Sequence, residues 1–268
     1  MSYRKFELIN SSNETWYFTD HDFRVFLNEP ENLGFKRTFT LTRYGNSQVI
    51  DETEEECPTP RGEIIFLDSL NEDRYIKYDN FVRFVSYEPL QFVYIAPGMG
   101  SFTLDCVVNS LEKTESELEN YMSCPVEFQG LGFWKGEQIV RHFTDTQFTL
   151  LNDGDFPCGF EITIEGDMTN PYFELSQDDI YGKAKFDSST AFNSVYVNSN
   201  DSKQNVVLEQ DSTVVSNPLS YQDLTISNGS IYVTFIKLAR GISTVNIGMD
   251  SGSVNDVYVK YYPIYRSI

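Results

Sequence analysis

From about residue 145 onward, every clear element of the sequence is a short alternating run: FTLL, GFEITIE, YFELS, GKAKF, SVYVNS, NVVLEQ, DLTIS, SIYVTFI, STVNIGM and DVYVKYY. Successive side chains of a strand point to opposite faces, so this alternation predicts strands with one buried side. Turn residues separate them, among them Asn152-Asp153-Gly154, Asn198-Ser199-Asn200-Asp201 and Asn228-Gly229. About ten such strands at roughly 8–12-residue spacing predict an antiparallel β-sandwich. The stretch NDGDFPCGFEITIEGDMTNP, residues 152–171, reads as its beginning. Asn152, Asp153 and Gly154 make a turn, Phe160, Ile162 and Ile164 face one side, and Gly166 and Asn170-Pro171 end the strand.

The first half is more mixed. KFELIN, TWYFT and FRVFL read as strands, and a strand alternating on Phe35, Phe39 and Leu41 leads to a hairpin turn at Gly45-Asn46. DETEEECPTP, residues 51–60, reads as an acidic, proline-bearing loop, and RGEIIFLDS as the next strand. One helix is predicted. Ser69 and Glu72 form a capping box, Tyr75, Tyr78, Val82 and Val85 recur at helical spacing with Phe81, and Pro89 stops it. LQFVYI, APGMG and SFTLDCVV read as a hairpin whose first strand is buried, and SCPVEFQGLGFW as a closing strand. EKTESELENY, residues 112–121, fits either a charged helix or a strand extension. The segment around 130–145 is the natural joint, with His142 ahead of the sandwich strands.

Composition narrows the function classes. Of 268 residues, 17 are Tyr, 21 Phe and 2 Trp, which supplies a large apolar area and suits aromatic-rich strands. The formal charge of −20 is spread along the chain: 25 acidic and 13 basic residues up to residue 150, 15 and 7 after it. Without a basic patch to release counterions, the chain should repel nucleic acid and anionic membrane. MSYRKFELIN lacks an apolar h-region and no run approaches a membrane span, so neither a secretion signal nor membrane insertion is expected. Cys57, Cys106, Cys124 and Cys158 are then expected as free thiols, with Cys106 and Cys124 as small core residues on strands.

Chemistry-bearing motifs are absent. The two histidines, His21 and His142, lack companions at zinc-ligand spacing, and there is no nucleophile elbow, phosphate loop or dinucleotide fingerprint. The acidic run at 51–56 lacks the alternating spacing of an EF-hand loop, so it reads as a solvated loop rather than a calcium site. No catalytic, cofactor or metal residue is assigned. Sugar recognition wants an exposed aromatic platform. Trp16 and Trp134 lie outside the sandwich, and Tyr181, Tyr196, Tyr232 and Tyr258 fall within strands, where packing explains them.

The order of these segments carries a resemblance. KFELIN, NEPENLGF, the aromatic helix, LQFVYIAPG, VVNSLEKTES and SCPVEFQGLGFW resemble the N-terminal half of siphophage distal tail proteins, the hubs of phage tail tips and baseplates. NDGDFPCGFEITIEGDMTNPYFEL, STVNIG and VYVKYYPIYR resemble their C-terminal half. The resemblance implies a mainly β chain: residues 1–140 as a ring-forming β-sandwich with one α-helix and a β-hairpin arm, and 141–268 as a galectin-like antiparallel β-sandwich. The galectin sugar signature is missing. The implied protein is a non-enzymatic homohexameric ring in the virion tail, assembled in the host cytoplasm. Its expected partners are the tail tube protein, the tail-associated or tail-tip protein and a receptor-binding protein, with DNA only in transit through the channel. The alternatives are a cell-wall carbohydrate-binding module and, behind it, a hydrolase with an unrecognised site. On the ring reading, Asp51, Glu52, Glu54, Glu55 and Glu56 are candidates for a channel or surface loop. Phe92, Tyr94, Phe102 and Leu104 mark a candidate inter-subunit hairpin, since a two-stranded arm gains stability on a neighbour's sheet edge.

Overall fold

The computed structural model describes residues 4–18, 25–44, 47–67, 71–115, 121–177, 180–186, 191–200, 204–210, 213–215, 221–226, 231–232 and 236–268. His21, Ser69, Asp201 and the expected turns at Gly45-Asn46 and Asn228-Gly229 lie outside these residues. The described residues are mainly β with one helix, and the chain divides into two compact units. One comprises residues 1–136 with 265–268, the other 137–264.

The first unit contains β1 (Lys5–Ile9), β2 (Thr15–Tyr17), β3 (Val25–Glu31), β4 (Lys36–Tyr44), β5 (Ser47–Glu56), β6 (Arg61–Leu67), α1 (Asn71–Val85), β7 (Leu90–Ala96), β8 (Gly100–Leu111), β9 (Thr114–Glu115), β10 (Tyr121–Gly130) and β11 (Trp134–Lys135). Its main sheet runs β2-β1-β7-β8-β10-β6-β3, with β9 paired to β10 and β11 to β8. Alternation sends Phe6, Leu8, Phe92, Phe102, Leu104, Cys106, Met122, Cys124, Val126, Phe128, Ile64 and Phe66 into one core. Residues 114–115 settle the ambiguous 112–121 segment in favour of strand at its described end, paired with Ser123 and Met122.

The helix forms where expected, but its buried face is turned. Phe81, Phe84 and Val85 are buried, while Tyr75 and Val82, which recur at helical spacing with Phe81 and Val85, are 42% and 38% exposed. The reason is an aromatic cluster around Phe81, whose ring lies 5.1 to 6.1 Å from Trp16, Phe18 and Phe66. Each such pair contributes about 0.5–1.5 kcal/mol beyond its buried area, so Phe81 sets the helix rotation. Trp134, fully buried, donates its indole N–H to the Leu33 carbonyl at 2.8 Å.

The second unit contains β12 (Ile139–Phe143), β13 (Gln147–Asn152), β14 (Phe160–Thr169), β15 (Tyr172–Gln177), β16 (Ile180–Lys185), β17 (Phe192–Asn198), β18 (Asn205–Gln210), β19 (Thr213–Val215), β20 (Tyr221–Ile226), β21 (Ile231–Tyr232), β22 (Gly241–Gly248) and β23 (Ser251–Tyr261). They form two six-stranded antiparallel sheets, β12-β23-β14-β17-β18-β19 and β13-β22-β15-β16-β20-β21. Phe160, Ile162, Ile164, Val195, Val197, Val257 and Val259 from the first meet Phe148, Leu150, Phe173, Leu175, Val245 and Ile247 from the second.

Residues 152–154 do make a turn, and Asn152 holds it. Its buried amide donates to the Phe156 and Leu238 carbonyls at 2.9 and 3.1 Å, and its Oδ1 accepts from the Gly154 amide. Two expectations are corrected. Gly166 does not end β14 but sits at a register shift against β23, where a Cβ would lie 2.1 Å from the Ser253 carbonyl oxygen. His142 is not ahead of the sandwich: β12 is its edge strand, paired with β23.

Candidate functional site

The most distinctive surface of the first unit is β4 and β5, which pair only with each other among the described residues. Lys36 opposes Glu56, Arg37 opposes Glu55, Phe39 opposes Thr53, and Tyr44 opposes Ser47. A register shift after Thr40 leaves Asp51 outside the ladder, hydrogen-bonded to the Thr42 hydroxyl. Residues opposed across an antiparallel pair share a face. Phe39, Leu41 and Ile50 therefore stand on one side, 49%, 52% and 56% exposed. Thr38, Thr40, Glu52 and Glu54 stand on the other.

This corrects two expectations. Asp51, Glu52, Glu54, Glu55 and Glu56 lie on a strand, not a loop: Thr and Ile/Val neighbours and cross-strand cations keep this acidic run extended. The expected inter-subunit hairpin at Phe92, Tyr94, Phe102 and Leu104 is the interior of the main sheet. Its outer edges are taken by β1 and β10, and Phe92 and Leu104 are fully buried, Phe102 nearly so and Tyr94 partly. An edge already paired within its own chain has no backbone groups left for a neighbour. Among the described residues, the hairpin that pairs with no other strand is β4–β5.

The base of that hairpin is held by the end of the chain. Glu55 accepts hydrogen bonds from Arg37 Nε at 3.0 Å and from Arg266 Nε at 2.9 Å. Both guanidinium groups lie over the Phe35 ring, at 5.3 and 5.2 Å. Burial acts to raise the Glu55 pKa, but the hydrogen bonds and charges of Arg37 and Arg266 outweigh it and hold it below the ordinary 4.5. Tyr265 packs edge-on to Phe102 with ring centres 5.5 Å apart, and Ile268 joins the same core. The sequence reads DVYVKYY as a strand, and nothing local marks Arg266, beyond it, as a partner of Glu55.

Other groups are accounted for differently. Among the described residues, no three His, Cys, Asp or Glu side chains converge to hold a metal ion. His142 Nε2 lies 2.5 Å from Asp256 Oδ1, its ring stacked on Tyr258. Tyr258 is corrected as well: it lies in a strand, yet its side chain is 36% exposed, so packing does not explain it. The four cysteines are free, and burial pushes the thiols of Cys106 and Cys158 up to about 12 and that of Cys124 to about 11.

Phe39, Leu41, Tyr44, Val49 and Ile50 of the β4–β5 hairpin are all exposed. Residues 5–131 match the family described as distal tail protein, N-terminal domain. No curated protein matches the sequence. The whole chain is similar in fold to a whole chain of the phage P2 baseplate in its activated conformation with Ca, at 10% identity and a TM-score of 0.62. It is also similar to SPP1 Dit (gp 19.1), described as a paradigm of the hub adsorption apparatus in Gram-positive infecting phages, with 96% of this chain and 98% of that one covered, 10% identity and a TM-score of 0.64. The N-terminal unit thus resembles the N-terminal domain of distal tail proteins, and the whole chain shares its fold with these two phage proteins.

Proposed function

We propose that this protein forms a homohexameric ring that joins the tail tube to the tail-tip and adhesion proteins and leaves a channel for DNA. Residues 1–140 build the ring, and 141–268 carry a galectin-like sandwich that offers a surface to a receptor-binding protein. The tail tube protein and the tail-associated protein stack on the ring's two sides, after assembly in the host cytoplasm. The chain acts structurally, without catalysis, cofactor or membrane insertion.

The observation that carries this reading is the β4–β5 hairpin. A lone two-stranded pair is marginal in water, and its exposed Phe39, Leu41 and Ile50 face invites cover. A neighbouring subunit in a closed ring supplies that cover through a head-to-tail contact. The opposite face, with Glu52, Glu54 and Glu56, suits a channel through which DNA must pass without sticking.

The test is solution mass by light scattering and negative-stain imaging, alone and mixed with the neighbouring tail proteins. Six copies of the 30.9 kDa chain in rings are expected. Phe39→Asp combined with Leu41→Asp should abolish rings while each chain stays folded. A monomer under both conditions, or rings indifferent to these substitutions, overturns the reading.

A further inference from the structure

The second unit carries a surface that the hub reading does not use. β-strand register places side chains of four neighbouring strands in straight rows across the outer face of one sheet. One row runs His142, Tyr258, Thr163, Tyr196. On one side of it lies the row Asp256, Glu165, Ser194, Glu209, and on the other Val140, Lys260, Glu161, Asn198. The intervening residues Val257, Val259, Ile162, Ile164, Val195 and Val197 are all buried, so alternation turns these rows outward, except at Asn198, which is buried at the end of its row. The result is a row of His142, Tyr258, Thr163 and Tyr196 with the carboxylates of Asp256, Glu165 and Glu209 on one side and Lys260 and Glu161 on the other.

The strip is pre-organised. The Tyr258 and His142 rings are 4.7 Å apart and only 11° from parallel, and His142 is tethered to Asp256. Tyr196 accepts a hydrogen bond from Asn198 Nδ2 at 3.2 Å. Side chains already held in place lose little freedom when a ligand arrives. A ring face with negative quadrupole charge binds the C–H side of a saturated ring and, more strongly, an ammonium group. Asp256, Glu165, Glu161 and Glu209 outnumber Lys260 and add attraction for a cation at close range.

We infer that this face binds a hexopyranose oligosaccharide bearing free amino groups, with one sugar ring seated on Tyr258 and its amine and hydroxyls bonded to the flanking carboxylates. A polyanionic wall polymer is repelled by the same carboxylates. The Tyr258 hydroxyl and ring are not needed for the sandwich core, so the surface is open to substitution.

The test is titration of the full chain with a glucosamine hexamer, followed by NMR shifts or calorimetry. Three comparison probes are used: the N-acetylated hexamer, a polyglycerol phosphate and spermine. Saturable binding of the glucosamine hexamer is expected, weakened about tenfold or more by Tyr258→Ala, which removes ring contact without altering charge. Glu165→Gln should weaken it further, and Tyr258→Phe should keep most of it. Unfolding by urea checks that the variants fold. The inference is overturned by absence of binding, by binding that Tyr258→Ala leaves unchanged, by spermine binding in the same Tyr258-dependent way, or by equal binding of the N-acetylated hexamer or the polyphosphate. Ring formation is unaffected in every variant if the hub reading holds, so the two readings fail separately.

Discussion

Arg266 reaches back across 211 positions of sequence to place its Nε 2.9 Å from the Glu55 carboxylate, at the root of the β4–β5 hairpin. The same carboxylate takes Arg37 from the opposing strand, and Phe35 lies beneath both cations. Two charges of one sign are drawn to one anion and one ring face, which fixes the hairpin's root more firmly than a single surface ion pair would.

Arg266→Ala should therefore loosen the hairpin while leaving both cores intact. The expected result is faster proteolytic cleavage at the hairpin connection between Tyr44 and Ser47, with an unchanged global urea midpoint. Arg266→Lys should restore only part of the protection, because an ammonium cannot present Arg's planar fork. Equal cleavage rates in all three proteins would mean that the clasp does not hold the hairpin.

Acid should act on the same contact with a definite sign. The Glu55 pKa in the folded chain lies below 4.5. The stabilisation of the hairpin root is thus complete above that value and is lost as pH falls through the lower, folded-state value. Proteolytic protection of the hairpin should be flat from neutral pH to the ordinary carboxylate range and drop below it. Arg266→Ala should move the drop upward in pH. Cleavage by an acid-stable protease across this range provides the measurement.

Thiol labelling should divide the cysteines three to one. With pKa values raised to about 12, 11 and 12, Cys106, Cys124 and Cys158 carry almost no thiolate at pH 8, and burial blocks access as well. Cys57 is only half-buried. A disulfide reagent added to native protein should modify Cys57 first, and the other three only on unfolding. Mass spectrometry of the labelled chain would reveal any other order.

Replacing Asn152 by Leu should destabilise the second unit by roughly 1–3 kcal/mol, since its hydrogen bonds to the Phe156 and Leu238 carbonyls and from the Gly154 amide are lost at once, although Leu238 keeps the bond from the Cys158 N–H. Urea unfolding followed through the tyrosine signal checks the magnitude. Asn152→Asp should also be costly, because it places a charge at a position with no exposure.

What was legible in the sequence follows from how local each signal is. Alternation at period two marks β14, β15, β17, β22 and β23 because each strand has one buried face, and Phe160, Ile162 and Ile164 occupy it as read. The turn at 152–154 was legible because Asn and Gly favour such turns. The helix was found from its spacing, but of the residues that mark it Phe81 and Val85 are buried and Tyr75 and Val82 exposed. Periodicity shows that a face is apolar; the partners it meets decide its rotation.

The hairpins mark the same boundary. LQFVYIAPGMGSFTLDCVV reads as two strands and a turn, while residues 36–56 read as a strand, a turn and an acidic loop; the first is the centre of a sheet and the second a hairpin that pairs only with itself among the described residues. Strand pairing is a relation between distant segments, and β1 and β10 are what enclose the first. Tyr258 teaches the same lesson, since a strand tyrosine looks like core until the parity of its neighbours, Val257 and Val259, turns it outward. By itself the sequence determined that this is an aromatic-rich, acidic, mainly β chain with one helix, free cysteines and alternating strands in its second half, because those properties reside in composition and short-range pattern. Which hairpin stands free, which faces remain exposed and how Arg266 finds Glu55 were decided only by the tertiary structure, because each depends on contacts between residues that the chain brings together only when folded.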